Sequence, residues 1–384
     1  MEDFGFAEFV IIAVILSRLL VPLLIIRWPL PAIVASLIID AVDQTVFSAV
    51  APNADLAGYQ TYDKALDIYY LVIAYISTLR NWTNRFALEV ARFLIYYRLI
   101  GVVLFELSGI REILFIFPNT FEYFFIFYES VRLFWDPRRM SRKVVIGAAA
   151  FIWIFIKLPQ EWWIHIAQLD LTDFVQEKIF GVEAGAPWID TFAAKPWIVV
   201  IAIVVVAALI YAGYWLMKNK LPARDRPLTI DADAEPGREV NPERLRAERE
   251  RMAKTVLRPG LFEKVALIAL VGIIFGEVFQ VRADPLELSI IMAVIVVANA
   301  TLSTLLERRG FGPTAALRQF FFTGLLNLGI FAAIVIIFEV RGTPVDMPST
   351  FFYLLLITLL VTLYDRYRPE YLARYAEDPE PSAT

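Results

Sequence analysis

The chain is 384 residues long, 59% hydrophobic and only 20% charged, with a net charge of −4 and a mean hydropathy of +0.60. A water-soluble domain of this size has nowhere to hide so much apolar surface, whereas lipid accepts it. The lack of cysteine excludes disulfides, thiolate metal sites and cysteine nucleophiles; a single histidine, His165, excludes a multi-histidine metal site; and the small, dispersed charge gives no basic surface for nucleic acid.

Met1 to Glu8 carries three acids and no base, and no small-residue cleavage motif follows, so the first apolar run reads as a retained helix rather than a removed signal. From there the apolar runs predict spans near Phe6 to Ile26, Leu30 to Val50, Ala65 to Leu79, Phe86 to Leu107, Ile113 to Leu133 and Val144 to Leu158, the last stopping at Pro159. Further spans fall near Trp197 to Met217, Leu261 to Val281, Leu286 to Leu306, Phe320 to Val340 and Met347 to Tyr364. Many approach the roughly 20 residues needed to cross a hydrocarbon core, and unbroken runs without alternation mean helices, not barrel strands. The expected fold is an all-α polytopic bundle of about ten or eleven transmembrane helices.

Between Leu158 and Trp197, the segment Gln160 to Phe174 holds Trp162 and Trp163, which suit a helix lying at headgroup level. Lysine and arginine set the orientation. With the N-terminus outside, the cytoplasmic side collects Arg27, Arg80, Arg85, Arg138, Arg139, Arg142, Lys143, Arg308, Arg309, Arg318, Arg366, Arg368 and Arg374, while the other side receives mainly lone bases such as Arg111, Arg282 and Arg341. That predicts N-out and C-in, in the cell membrane of a prokaryote.

Lys218 to Gly260, with eleven Lys or Arg and eight Asp or Glu, divides residues 1–217 from a second membrane block at 261–364 and a cytoplasmic tail at 365–384. Its first part, rich in Pro, Asp and Ala, reads as a flexible linker. Asn241 as N-cap and Pro242 at the first helical position then open a charged, solvated helix with Glu250 and Lys254 at i, i+4, and residues 241–257 offer a surface to a cytosolic partner.

The second and third spans carry the most informative side chains. Asp40 and Asp43 stand at i, i+3 and Asp63 and Asp67 at i, i+4, so each pair shares a helix face, and a short connection makes the helices antiparallel neighbours. Each carboxylate costs about 2.5 to 3.5 kcal/mol near mid-membrane, so four need protons, water, a cation or basic partners. Carboxylate oxygens are hard ligands suited to Mg²⁺, Mn²⁺ or Ca²⁺. Arg18 in the first span is a suitable counter-ion.

The pattern Asp40-Ala-Val-Asp43 followed, after Gly58, by Asp63-Lys-Ala-Leu-Asp67 resembles the signature of the CDP-alcohol phosphotransferases, D-x-x-D-G-x-x-A-R then G-x-x-x-D-x-x-x-D. By that resemblance Asp40, Asp43 and Asp63 would bind metal ions, with Asp67 also the base on an acceptor alcohol. The match covers residues 40–67 only, with Gln44, Phe47 and Ser48 standing where the family has glycine, alanine and arginine.

Further charges lie on the fourth and fifth spans, Glu89, Arg92, Arg98, Glu106, Glu122 and Glu129. Glu89 and Arg92 have the spacing to pair, and Arg98 must find a partner on another helix. Such a helix cannot face lipid all round. Pro118 in Phe117-Pro118-Asn119-Thr120-Phe121-Glu122 frees a backbone carbonyl beside polar side chains, as in the broken helices that line transporter sites. Glu161 and His165 share a face at i, i+4. In the second block Gly272 and Gly276 form a close-packing GxxxG pair, and Asn299 and Asn327 are placed to bond across helices. The sequence thus points to a transporter or permease-like protein with a pathway through Arg18, Asp40, Asp43, Asp63, Asp67, Glu89, Arg92, Arg98 and Glu122 for a cation, a proton or a cation-coupled solute. The alternatives are a metal-dependent transferase acting on a lipid headgroup, and a structural or assembly subunit.

Overall fold

The computed structural model describes residues 6–50, 57–169, 171–219, 222–254, 259–278, 285–308, 316–340 and 347–375, and every regular element among them is helical. Helix α1 (Phe6–Leu20) tightens into a 3-10 stretch at Val21–Ile26. Pro22 is the reason: it has no N–H to offer the carbonyl of Arg18 one turn back. Helices α2 (Pro29–Val50), α3 (Ala57–Asn81) and α4 (Arg85–Ser108) follow. Asn84 caps α4 by accepting from the Ala87 N–H, and Gly109 ends it in the left-handed region at φ 70.

The next span comes in two pieces, α5 (Glu112–Ile116) and α6 (Thr120–Arg132), broken at Phe117, Pro118 and Asn119. Helix α7 (Arg142–Phe151) is capped by the Ser141 side chain, which accepts from the Val144 N–H. It continues through a π-helical stretch at Ile152–Lys157, α8 (Leu158–Glu161) and a second π stretch at Trp162–Ile166. Two expectations are corrected here. The span does not stop at Pro159, because the π turns before it have already shifted the hydrogen-bond ladder that a proline would block. Consequently Trp162 to Ile166 extend this rod instead of forming a separate helix.

Short helices α9 (Leu171–Phe174) and α10 (Trp188–Ala194) lead to α11 (Pro196–Asn219), and then come α12 (Pro242–Lys254), α13 (Pro259–Val278), α14 (Pro285–Arg308), α15 (Ala316–Val340) and α16 (Met347–Tyr375). Helix α16 runs past Tyr364, carrying Pro369 within it. Four of the described helical stretches are long and apolar enough to cross a membrane: Phe9–Ile26, Arg142–Ile166, Pro196–Trp215 and Thr350–Tyr375. Helix α11 buries none of its apolar window in the protein, with Val200, Ile203, Leu209 and Tyr211 all exposed. A helix apolar on every side is stable only inside protein or lipid, so this one fits a membrane protein.

One hydrophobic core runs through both sequence blocks, with α13 and α16 packed against α3 and α4. Glu263 on α13 is the hub of the junction. Its carboxylate accepts from Tyr75 (2.9 Å) and pairs with Arg92 (3.3 Å) and Arg368 (2.6 Å). Arg374 of α16 donates to the carbonyls of Arg80 and Trp82, and Tyr375 also donates to Trp82 (2.8 Å), capping the C-terminal end of α3.

The first part of the linker is not a loose spacer, which corrects the expectation from its composition. Residues 222–240 lie across the ends of α3 and α6 and the turn after α1. Asp231 pairs with Arg27 (3.2 Å), Asp233 with Arg80, and Arg132 donates to the carbonyl of Ile230 (3.2 Å). Glu235, almost fully buried, pairs with Arg226 (2.6 Å), and Trp135 donates to the carbonyl of Pro222 (3.1 Å). Apart from the Glu235–Arg226 pair inside the segment, each tie joins groups far apart in sequence, which a compositional reading cannot see. Asn241 accepts from the Glu243 N–H at the start of α12, and α12 packs against α14 and α16.

Candidate functional site

The predicted residues divide into three groups. The first gathers around Arg18. Its Nη1 donates to Asp43 (2.6 Å) and to Asp63, and its Nη2 donates to Asp67 (2.5 Å) and to Asp40. Tyr69 donates to the carbonyl of Leu19 (3.1 Å), which seats α3 against α1 and brings both aspartate pairs onto one guanidinium. The site has a closed and an open side: the Arg18 and Asp43 side chains are 4% and 2% exposed, whereas Asp67 is 43% exposed.

Oxygens of Asp40, Asp63 and Asp67 lie within 4.8 Å of one another, a span that one hard cation can bridge. These three residues are the ones fitted to hold Mg²⁺, Mn²⁺ or Ca²⁺, but Arg18 already bonds all of them and brings its own positive charge to the centre. Among the described residues, four carboxylates thus converge on one guanidinium, an excess of acids that is expensive in a medium of low dielectric.

The second group forms where α5 breaks into α6. Phe117 in the break has ψ 65, and its freed carbonyl accepts from Arg98 Nη1 (3.0 Å), while the Ile116 carbonyl accepts from Tyr97 (3.0 Å). Gly101 makes this approach possible, since a Cβ there would stand 2.1 Å from Phe117 Cβ. Glu122 accepts from Tyr70 (3.0 Å) and from the Asn119 side chain (2.6 Å). Glu161 accepts from the Asn119 backbone N–H (3.0 Å), pairs with His165 Nε2 (3.0 Å) and lies 4.0 Å from Arg98. Lys157, 3% exposed, rests its ammonium 3.8 Å from the centre of the Tyr123 ring.

The third group joins neither cluster. Glu89 pairs with Arg85 (3.1 Å) on an exposed helix face, and Arg92 turns to Glu263 across the block junction, so the expected pairing of Glu89 with Arg92 is corrected. The i, i−4 neighbour Arg85 takes Glu89, and a buried acid on another helix takes Arg92. Sequence reasoning also missed Lys157 and the tie of Glu161 to the helix break. The signal available was the placement of Lys157, Glu161 and His165 at i, i+4, i+8 on one helix.

Both clusters stand at similar distances along their helices from the basic ends. At 1.5 Å per residue, Asp40, Asp67, Tyr70, Arg98 and Thr120 stand about 16 to 21 Å from the basic ends of α2, α3, α4 and α6. Comparison with protein-family models, curated proteins and solved structures finds no match, so the local resemblance to the CDP-alcohol phosphotransferases stays confined to residues 40–67.

Proposed function

We propose that this chain is a multi-pass transporter or permease-like protein in which the aspartate cluster binds a proton, a cation or a cation-coupled solute. The observation carrying this reading is the excess of acids among the described residues: four carboxylates from two neighbouring helices share one guanidinium, with Asp67 half-exposed on the open side. A purely structural ion pair needs one acid for one base, and surplus buried acids mark ion or substrate paths. Placing Arg18 where a metal would sit disfavours the transferase reading.

In this reading eleven spans cross the bilayer: α1, α2, α3, α4, the α5 and α6 pair, the rod from α7 to Ile166, α11, α13, α14, α15 and α16. The N-terminus is outside and the C-terminus inside, which puts Arg27, Arg80, Arg132 and the strap of residues 222–240 on the cytoplasmic face. Cysteines placed at Ser48 and Gly58 in this cysteine-free chain should then react with an impermeant thiol reagent from outside. Labelling only from the cytoplasm would reverse the topology.

Function is tested by reconstitution into liposomes and measurement of proton, Na⁺, K⁺, Mg²⁺, Mn²⁺ and Ca²⁺ entry. Asp40→Asn and Asp67→Asn should each abolish the flux while leaving insertion intact, because asparagine keeps the shape and loses the charge. Wild-type flux in either variant would sink the site.

A further inference from the structure

We infer that Tyr70, Glu122, Glu161 and His165 form a proton path joining the aspartate cluster to the far end of the α7 to Ile166 rod, which makes the proton the ion taken by that cluster. The inference rests on the transport reading above and adds residues and an ion to it. Its basis is a run of hydrogen bonds from His165 to Tyr70, part-buried at Asn119 and buried at Tyr70. His165 meets Glu161, Glu161 and Glu122 are both held by Asn119, and Glu122 meets Tyr70. Tyr70 in turn lies three residues from Asp67, on the same face of α3, near enough for the charges of Asp67 and Asp40 to act on it.

The break between α5 and α6 explains why the carboxylates meet there. An unbroken helix would spend the Asn119 N–H on its own ladder; broken at Pro118, it offers that N–H to Glu161 and the adjacent side-chain amide to Glu122. The Asn119 Oδ1 and Thr120 Oγ1 atoms, on the residues at the break that hold or adjoin these carboxylates, are buried and have no protein partner. An amide and a hydroxyl so placed give a water the polar partners it needs to bridge the two acids.

The other charges facing this chain are Arg98 from α4 and Lys157 from the rod, with the Tyr123 ring beneath Lys157. Two cations against Glu122 and Glu161 make the junction neutral with both acids ionised and His165 uncharged. The arrangement therefore tolerates one added proton without stranding a net negative charge, unlike the aspartate cluster. In a transfer, His165 accepts a proton on Nδ1 as Nε2 gives one to Glu161. The proton crosses the bridging water to Glu122, and Tyr70 takes it while passing its own hydroxyl proton to Asp67. Glu161 and Glu122 end as they began, His165 is left as its Nδ1–H tautomer and the Tyr70 hydroxyl is left turned, so both reset before the next proton, and Asp67 gains one proton.

The test uses the full chain in phosphatidylcholine and phosphatidylglycerol liposomes with a pH-sensitive dye inside and a K⁺ diffusion potential driving entry. Wild type, Tyr70→Phe, Glu122→Gln, Glu122→Asp and Asp40→Asn are compared, with gel filtration and helical content verifying the fold. Tyr70→Phe and Glu122→Gln should slow proton entry by about a hundredfold, the scale on which a positioned proton carrier contributes, and Glu122→Asp should recover part of it. If Glu122→Gln misfolds, Tyr70→Phe, which removes one oxygen, decides alone. Wild-type proton entry in Tyr70→Phe and Glu122→Gln, with Asp40→Asn still blocked, overturns the path and leaves the aspartate site standing. Wild-type entry in all of them overturns both. A chain that admits Na⁺ or Ca²⁺ but no protons overturns the path, and one that admits nothing overturns it together with the transport reading.

Discussion

The two halves of the membrane-embedded core each bury a polar layer and satisfy it by different means. In the C-terminal half Asn299 donates to Asn327 (2.7 Å) and Asn327 donates to Thr358 (2.8 Å), tying α14, α15 and α16 with neutral groups. In the N-terminal half Arg18 faces four aspartates, and Arg98, Lys157, Glu122 and Glu161 surround a broken helix. Neutral amides bond across helices and hold them together without bringing net charge into the core. In the N-terminal half the described residues set four acids against one guanidinium in the first cluster and two acids against two cations at the break.

Removing Arg18 should have the largest effect, because it breaks that compensation at its centre. Arg18→Met should cost about 3 to 5 kcal/mol by leaving buried carboxylates without a partner. Adding Asp43→Asn and Asp63→Asn to it should recover much of that loss, as read by thermal unfolding in detergent. A triple variant no more stable than Arg18→Met would show that the cluster is not held by charge.

Glycines give a sharper comparison. Gly101→Ala would drive a Cβ into Phe117 Cβ beside the backbone of the break, whereas Gly272→Ala meets Met292 Cγ (2.3 Å) and Sδ (2.7 Å). Methionine can change rotamer and the break cannot, so Gly101→Ala should cost about 1 to 3 kcal/mol and Gly272→Ala less. Equal losses in midpoint would remove the claim that the break is rigidly seated. In the neutral layer, Asn327→Leu should cost only about 0.6 to 1.7 kcal/mol and leave ion flux untouched. Altered flux in that variant would put the C-terminal half into the pathway.

The smallest expected effect lies outside the spans. Asp231 is held below the ordinary carboxylate range chiefly by the Asp233 backbone N–H, an effect that burial opposes and that Arg27 and Arg80 reinforce. A depressed folded pKa means that Asp231 contributes stability above its unfolded pKa of about 3.9 and loses it as pH falls through the folded value. A spin label at Leu228→Cys should therefore stay immobile from neutral pH down to about pH 4 and loosen below it. Asp231→Asn should be looser already at neutral pH, and an unchanged spectrum there would show that Arg27 and Asp231 do not hold the strap.

Much of the architecture was legible because lipid imposes it: apolar runs of spanning length, the proline that divides α5 from α6, and the spacing that sets each aspartate pair on one face. Asn241 and Pro242 marked the start of α12 by local chemistry alone. What escaped was long-range. Nothing local distinguishes Arg85 from Arg92 as the partner of Glu89, and Glu263 lies 171 residues from Arg92 in the chain. Residues 222–240 carry the composition of a flexible linker, yet they are fixed by basic groups on three other elements. The π turns around Pro159 likewise depend on packing, so periodicity ended that helix too early.

The strap also constrains motion. It is riveted at Arg27 after α1, at Arg80 near the end of α3 and at Arg132 at the end of α6, helices that carry or adjoin both charged clusters. If α6 rocked relative to α1 and α3, as access to the two sides in turn would require, these rivets would shear together or hold together. The segment that looked like a tether thus works as a brace across the ends of the helices that carry or adjoin the charged clusters.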